Sequence, residues 1–271
     1  MSSLITHRKR IIPPFKKFGY TSLAEYDQYT TGMEVSTLST PDFTDNPHRI
    51  DMPVYPHINE LKATCESFVG QVVHLSAVFM GETTPVDNPN IIGDLLDSIL
   101  LPHLRKKIPC LTKGPSNASP DFYGGYDFEI EQKAFTNSPG FDISNFQSYV
   151  NKLVEKGGVM KKLFRTIYPV YEYVPISGGA SIKKAQLLNV WNLVNYDGKY
   201  PISMQVKDGT WYNIRPSASS GWLDTTKTTQ KFIDNIVKCI GMCSQISDKE
   251  TKIKSIQDQF ANIRETYNIR S

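Results

Sequence analysis

Residues 120–135 read Pro120-Asp121-Phe122-Tyr123-Gly124-Gly125-Tyr126-Asp127-Phe128-Glu129-Ile130-Glu131-Gln132-Lys133-Ala134-Phe135, and their period decides the fold. From Tyr126 to Glu131 polar and apolar side chains alternate strictly, and Lys133 continues the polar side. Successive side chains of a strand point to opposite faces. Phe128 and Ile130 therefore share one face, and Asp127, Glu129, Glu131 and Lys133 share the other. Gly124-Gly125 is the signal for a hairpin turn that folds Pro120 to Tyr123 back along this strand. Three carboxylates in a row repel one another, and Lys133 relieves only part of that. On an exposed face the penalty is small because water and salt screen it. In a cleft the same face calls for a hard divalent cation with oxygen ligands, Mg²⁺ above all.

Working outward, the flanking segments change period. Ile58, Leu61, Cys65, Phe68, Val69, Val72 and Val73 recur at three- and four-residue steps, so residues 58–80 are predicted as a helix closed by Met80-Gly81. Glu82 to Pro89 reads as a loop. A second helix is predicted over 91–104, kinked or ended by Pro102, with a Pro/Ser/Gly loop to residue 120. Downstream, Ile143, Phe146, Val150 and Leu153 mark a helix over 143–156. Leu163 to Ile176 reads as a strand that breaks at Ser177-Gly178-Gly179. Residues 182–196 fit helix or strand, and 200–215 read as two strands around Asp208-Gly209. A polar loop over 217–229 offers Asp224, Thr225 or Thr226 as a cap. Phe232, Ile233, Ile236, Val237, Ile240 and Cys243 then form a helical stripe, and a more polar helix covers 248–267. The expected architecture is an α/β domain over 58–271 with a mixed central sheet flanked by helices, preceded by a Pro-rich arm with short elements over 1–57.

The order Pro120-Asp121, nine residues, Glu131-Gln132-Lys133 resembles the PD-(D/E)XK motif of the nuclease superfamily that includes type II restriction endonucleases. Its setting is similar too: a helix, a strand, the acidic strand, a helix and a strand in succession. The resemblance implies an Mg²⁺-dependent, sequence-specific hydrolysis of phosphodiester bonds in double-stranded DNA, with Mn²⁺ able to substitute. It implies that Asp121 and Glu131 bind metal and that Lys133 assists the attacking water and offsets charge on the phosphate. Phosphodiester hydrolysis needs those residue types. A metal polarises a phosphoryl oxygen and acidifies a bound water, and a cation stabilises the developing charge. Gly93-Asp94-Leu95-Leu96-Asp97 is similar to the helix before the catalytic hairpin in some type II enzymes, which makes Asp97 a candidate accessory acid. As the polar face of an amphipathic helix, Asp94 and Asp97 need no such role.

The spacing leaves the metal ligand open. A two-residue turn at Gly124-Gly125 pairs Tyr123 with Tyr126 and Asp121 with Phe128. Glu131 then falls about 10 Å further along the strand. A longer turn or a bulge brings Asp121 to Glu131. Otherwise Glu129 is the metal-binding carboxylate and Glu131 replaces the lysine of the motif. The reading with Glu131 and Lys133 retains the cation.

Charge divides the chain. Residues 1–149 carry 12 basic and 17 acidic side chains, a net of −5, while 150–271 carry 18 and 10, a net of +8. The overall +3 is therefore a near-cancellation, and the basic half is suited to an anionic partner such as DNA. Lys161, Lys162, Arg165, Lys183, Lys184, Lys207 and Arg215 are its candidate DNA contacts. Lys183-Lys184 and Arg215 are also candidate base readers. For any one of them a plain surface cation is the simpler reading. A twofold palindromic site implies a homodimer, and a restriction enzyme implies a companion DNA methyltransferase.

Other classes are excluded on simpler grounds. No apolar run approaches the roughly 20 residues that span a bilayer. Arg8-Lys9-Arg10 leads into Ile11-Ile12-Pro13-Pro14 rather than an apolar signal core, so a cytoplasmic protein is expected, and the resemblance implies a bacterial one. With 13 Phe, 14 Tyr and 3 Trp the chain is too aromatic to be disordered. Cys65, Cys110, Cys239 and Cys243 lack zinc spacing and read as thiols in a reducing compartment. The five histidines show no metal spacing, with His74 expected in a helix or the core. No Gly-Lys-Ser/Thr follows Gly157-Gly158 or Gly178-Gly179. Two further readings compete with a restriction enzyme. One is a structure-specific or repair nuclease of the same fold. The other is a non-enzymatic DNA-binding protein whose acidic strand is simply solvated.

Overall fold

The acidic strand lies in the interior of a mixed sheet. The computed structural model describes residues 58–85, 100, 102–108, 111–114, 120–124, 128–216 and 227–267, and every structural statement concerns these. The chain runs through helix α1 (Ile58–Glu66), strands β1 (Val72–His74), β2 (Ser76–Phe79) and β3 (Glu82–Pro85), and a helical segment over 102–107. Next come β4 (Leu111–Lys113), β5 (Phe122–Gly124), β6 (Phe128–Ile130), β7 (Lys133–Phe135), β8 (Ser144–Asn145) and helix α2 (Phe146–Val154). A π-helical turn (Met160–Phe164) leads into β9 (Thr166–Ile176), β10 (Gly179–Leu188) and the short helix α3 (Val190–Leu193). Strands β11 (Met204–Lys207) and β12 (Thr210–Ile214) and helices α4 (Thr229–Met242) and α5 (Lys249–Tyr267) complete the order.

The main sheet has the order β1-β10-β9-β6-β5-β4, with β7 also beside β9. Only the β9 pairings with β6 and β7 are parallel. β6 and β7 keep one register on β9: Glu129 faces Thr166 and Lys133 faces Val170. The gap between them has a local cause. The Glu129 and Glu131 amides donate to the Arg165 and Ile167 carbonyls. The next bond of this ladder needs an N–H from residue 169, which is proline.

Register and alternation give the sheet two faces. Ile130, Ala134, Ile167 and Tyr171 line one of them. There the Tyr171 hydroxyl donates to Cys65 Sγ at 3.2 Å and the Tyr171 ring packs against that of Phe68, both from the α1 side. Glu129, Glu131, Lys133, Thr166, Tyr168 and Val170 line the other, where α2 and the π-helical turn pack. Phe146, Tyr149, Val150 and Leu153 bury the inner side of α2, and the Asn145 side chain caps it by accepting from the Ser148 amide. The expected mixed sheet between helices is thus the observed fold.

Several element boundaries differ from the sequence reading. The helix expected over 58–80 ends at Glu66. Gly70 takes φ +81°, and Val72–His74 pair with β10 as an edge strand. A valine pair two residues past a left-handed glycine fits either period, and edge pairing decides it. His74 is accordingly an exposed strand residue, and Glu82–Pro85 is a strand rather than a loop. Pro102 does not end its helix, because residues 102–107 remain helical. The ambiguous 182–196 stretch divides into β10 and α3. The cap of α4 is Thr228, which accepts from the Lys231 amide, and not one of the three residues expected. Asp208 and Gly209 (φ 51° and 76°) make the expected turn between β11 and β12. The arm over 1–57, Cys110, Asp94 and Asp97 lie outside the described residues.

Candidate active site

The hairpin register brings the two motif carboxylates together. Phe122 faces Ile130, Tyr123 faces Glu129 and Gly124 faces Phe128. Three residues, 125–127, therefore separate the paired ends, so the tight Gly124-Gly125 turn that pairs Tyr123 with Tyr126 is corrected to a longer connection. One step further, this register sets Asp121 opposite Glu131. The Gln132 amide completes the contact by donating to Asp121 Oδ2 at 2.6 Å. Asp127 lies outside the described residues.

Lys133 follows on the same face, and its Nζ donates to Glu131 Oε1 at 2.8 Å. The second oxygen, Glu131 Oε2, is buried without a hydrogen-bond partner. Glu131 itself is 7% exposed. A buried carboxylate oxygen left without a partner is open to a cation. Asp121 and Glu131 form an all-oxygen donor pair of the kind Mg²⁺ takes, since that ion uses one or two carboxylates and fills its shell with water and phosphate oxygens. Among the described residues no three His, Cys, Asp or Glu side chains group around one metal position. The residues fit an ion shared with a substrate and not a closed protein cage.

Glu129 is held differently. Lys161 Nζ and Lys162 Nζ sit 2.9 and 3.0 Å from its two oxygens. Burial works to raise the Glu129 pKa, but Lys162 and Lys161 overcome it and hold the carboxyl below the ordinary range. Thr166, its register partner, hydrogen-bonds the Lys161 carbonyl at 2.9 Å. Glu129 thereby ties the π-helical turn to β6. The neighbouring phenols feel the same field. Burial, then Glu129, pushes the Tyr123 pKa up to about 12. Burial and the charges of Glu131, Glu129 and Asp121 raise that of Tyr168.

The basic candidates separate into classes. Lys162 is corrected: it is 5% exposed and committed to Glu129, so it is no surface contact. Lys161 reaches Glu129 from a half-exposed position. Arg165, at the foot of β9, is partly buried, and its Nε finds no partner. Lys183 pairs with Glu172 at 3.1 Å on β10, next to exposed Lys184. Lys207 is exposed at the end of β11. Arg215 is ion-paired to Asp142. α2 also carries Lys152 and Tyr149 to this face, and sequence reasoning placed neither there. Their only signal was their place three residues apart on one helix.

Comparisons with known proteins follow the same lines. A family profile described as NgoBV restriction endonuclease matches residues 59–268. The type II restriction enzyme NlaIV of Neisseria lactamica is 28% identical over 139 residues. That stretch is 48% of this chain and 56% of the relative, so the chain spans little more than half of that protein. A solved NlaIV restriction endonuclease shares the fold with a TM-score of 0.65 at 21% identity, covering 79% of this chain and 90% of that one. The profile match extends over both the carboxylate hairpin and the basic half, and the chain belongs to the NgoBV restriction endonuclease family.

Proposed function

We propose that the protein is a type II, sequence-specific endonuclease that hydrolyses double-stranded DNA with Mg²⁺, and with Mn²⁺ in its place. The observation that carries this reading is the register that sets Asp121 against Glu131, with Lys133 bonded to Glu131. Asp121 and Glu131 would hold the metal. Bound there, the ion supplies an acidified water and polarises a phosphoryl oxygen. Lys133 orients the Glu131 carboxylate and presents a cation to the phosphate. Glu129, already matched by two lysines, serves as an anchor and not as a ligand. Lys161, Arg165, Lys183, Lys184, Lys207 and Arg215 are the proposed DNA contacts. A homodimer reading a palindrome, a companion methyltransferase and a bacterial cytoplasm complete the proposal. The buried free thiols Cys65, Cys239 and Cys243 suit that reducing compartment.

The test is plasmid cleavage with Mg²⁺, with Mn²⁺ and with EDTA. A fixed set of fragments, absent with EDTA, is the expected result. A continuous smear points to a repair nuclease, and no cleavage with either metal removes the enzymatic reading.

The hairpin also makes a backbone prediction. The Gly114 amide donates to the Asp121 carbonyl at 2.6 Å, and a Cβ at Gly114 would meet the Pro120 carbonyl oxygen at 1.8 Å. Gly114→Ala therefore has to push Pro120-Asp121 aside. A misplacement of that order lowers rate by about 10²-fold. Single-turnover cleavage is expected to fall by that much, with Tm changed by only a few degrees.

A further inference from the structure

Among the described residues, the face that holds the carboxylates carries a cation, Lys152, that is ion-paired to neither glutamate. Lys152, in the last turn of α2, is half-buried. Its ammonium lies within electrostatic reach of Glu129 and Glu131 and of Lys162 and Lys161. Both oxygens of Glu129 are occupied by Lys161 and Lys162, and Lys133 occupies Glu131 Oε1. Lys152 makes no ion pair within 4.0 Å among the described residues. Burial, then Lys162, works against its charged form, and the two glutamates only partly offset this. The cluster thus sets four ammonium groups against the three carboxylates of Asp121, Glu129 and Glu131. A bound divalent cation widens that excess. A half-buried ammonium kept beside like charges is stabilised when an anion arrives.

The backbone fixes this cation relative to the others. Gly157 takes φ +75°, and a Cβ at Gly158 would lie 2.0 Å from the Lys152 carbonyl oxygen. Only glycine lets the chain fold so closely onto the end of α2. The fold-back brings the turn that carries Lys161 and Lys162 back to the end of α2, within electrostatic reach of Lys152.

We propose that Lys152 is a phosphate-binding residue, taking a non-bridging oxygen of one DNA backbone phosphate next to the carboxylate pair. Lys161, half-exposed on the same cluster, flanks the same phosphate. Glu129, whose other oxygen Lys162 occupies, holds Lys161 in place. The proposal rests on the DNA endonuclease reading and adds a residue to it.

The test compares wild type, Lys152→Met and Lys152→Arg in duplex binding without divalent metal across a salt series, and in single-turnover cleavage with Mg²⁺. Thermal unfolding of all three is measured alongside. Loss of one phosphate contact lowers the slope of log K against log salt by about 0.9. Lys152→Met is expected to show that drop, with binding at low salt about tenfold weaker, slower cleavage and an unchanged Tm. Lys152→Arg restores the slope. A methionine variant that keeps the wild-type slope and cleavage rate overturns the assignment, as does one whose only change is in Tm. Wild-type protein that neither binds nor cuts duplex DNA overturns the endonuclease reading itself, and this one with it. The two failures are therefore distinct.

Discussion

Glu131→Gln should reduce single-turnover cleavage at least about 10²–10³-fold, the range seen when one preorganised charge-stabilising group is removed. The substitution keeps the shape of the side chain and removes the charge that a metal needs. Lys133 Nζ loses its charged partner at 2.8 Å at the same time. Asp121→Asn is expected to match it, because the proposal has both carboxylates hold one ion, and effects of groups that act as a unit do not add. Binding of duplex DNA without metal should hold or tighten, since one negative charge beside the phosphate is gone. Lys133→Met should slow cleavage comparably and also weaken metal-free binding, since it removes a cation facing the phosphate and leaves Glu131 without its 2.8 Å partner. Gel-based single-turnover rates and a salt-controlled binding assay check all three. Full activity in Glu131→Gln contradicts the assignment.

Glu129 carries the second large effect, and it is on stability. Glu129→Ala leaves Lys162, 5% exposed, with a buried charge and no carboxylate. Breaking a buried pair in this way costs about 3–5 kcal/mol, which corresponds to a Tm lower by about 10 °C. The Lys161 bond adds little to this, because that lysine is 53% exposed and its share is about 0–1 kcal/mol. Glu129→Gln with Lys162→Met should recover most of the loss, since the pair is then removed whole.

The pH dependence follows from the direction of the Glu129 shift. Its folded-state pKa lies below the ordinary 4.5. The stabilisation is therefore present above that value and is lost as pH falls through the lower folded-state pKa. Unfolding of wild type and Glu129→Gln at pH 7 and again in acid should show a gap that closes on acidification. Equal stability at pH 7 contradicts a structural Glu129.

What the sequence made legible follows from locality. The strict alternation of residues 126–131 announces a strand with an acidic face, because strand period is a property of neighbours. Asp208-Gly209 announces a turn for the same reason: both need positive φ. The pairing of Asp121 with Glu131 was not legible, since it depends on how many residues the turn consumes. Gly124-Gly125 alone suggested too few. Glu129 stood as the alternative to Glu131 because its partners Lys161 and Lys162 lie 32 and 33 residues downstream in a π-helical turn that no local pattern signals. For the same reason Lys162 looked like a surface cation. The break between β6 and β7 comes from Pro169 on the neighbouring strand and is invisible from residues 128–135 themselves. Lys152 needed both α2 and the glycine fold-back at 157–158 before its setting could be seen.

The most direct test of the account is one gel. Wild type, Asp121→Asn, Glu131→Gln and Glu129→Gln are incubated with plasmid and Mg²⁺ at a temperature where all four are folded. The account predicts a fixed fragment pattern from wild type, a weaker but identical pattern from Glu129→Gln, and uncut plasmid from the other two. Undiminished cutting by Asp121→Asn or Glu131→Gln, with Glu129→Gln inactive, would contradict it.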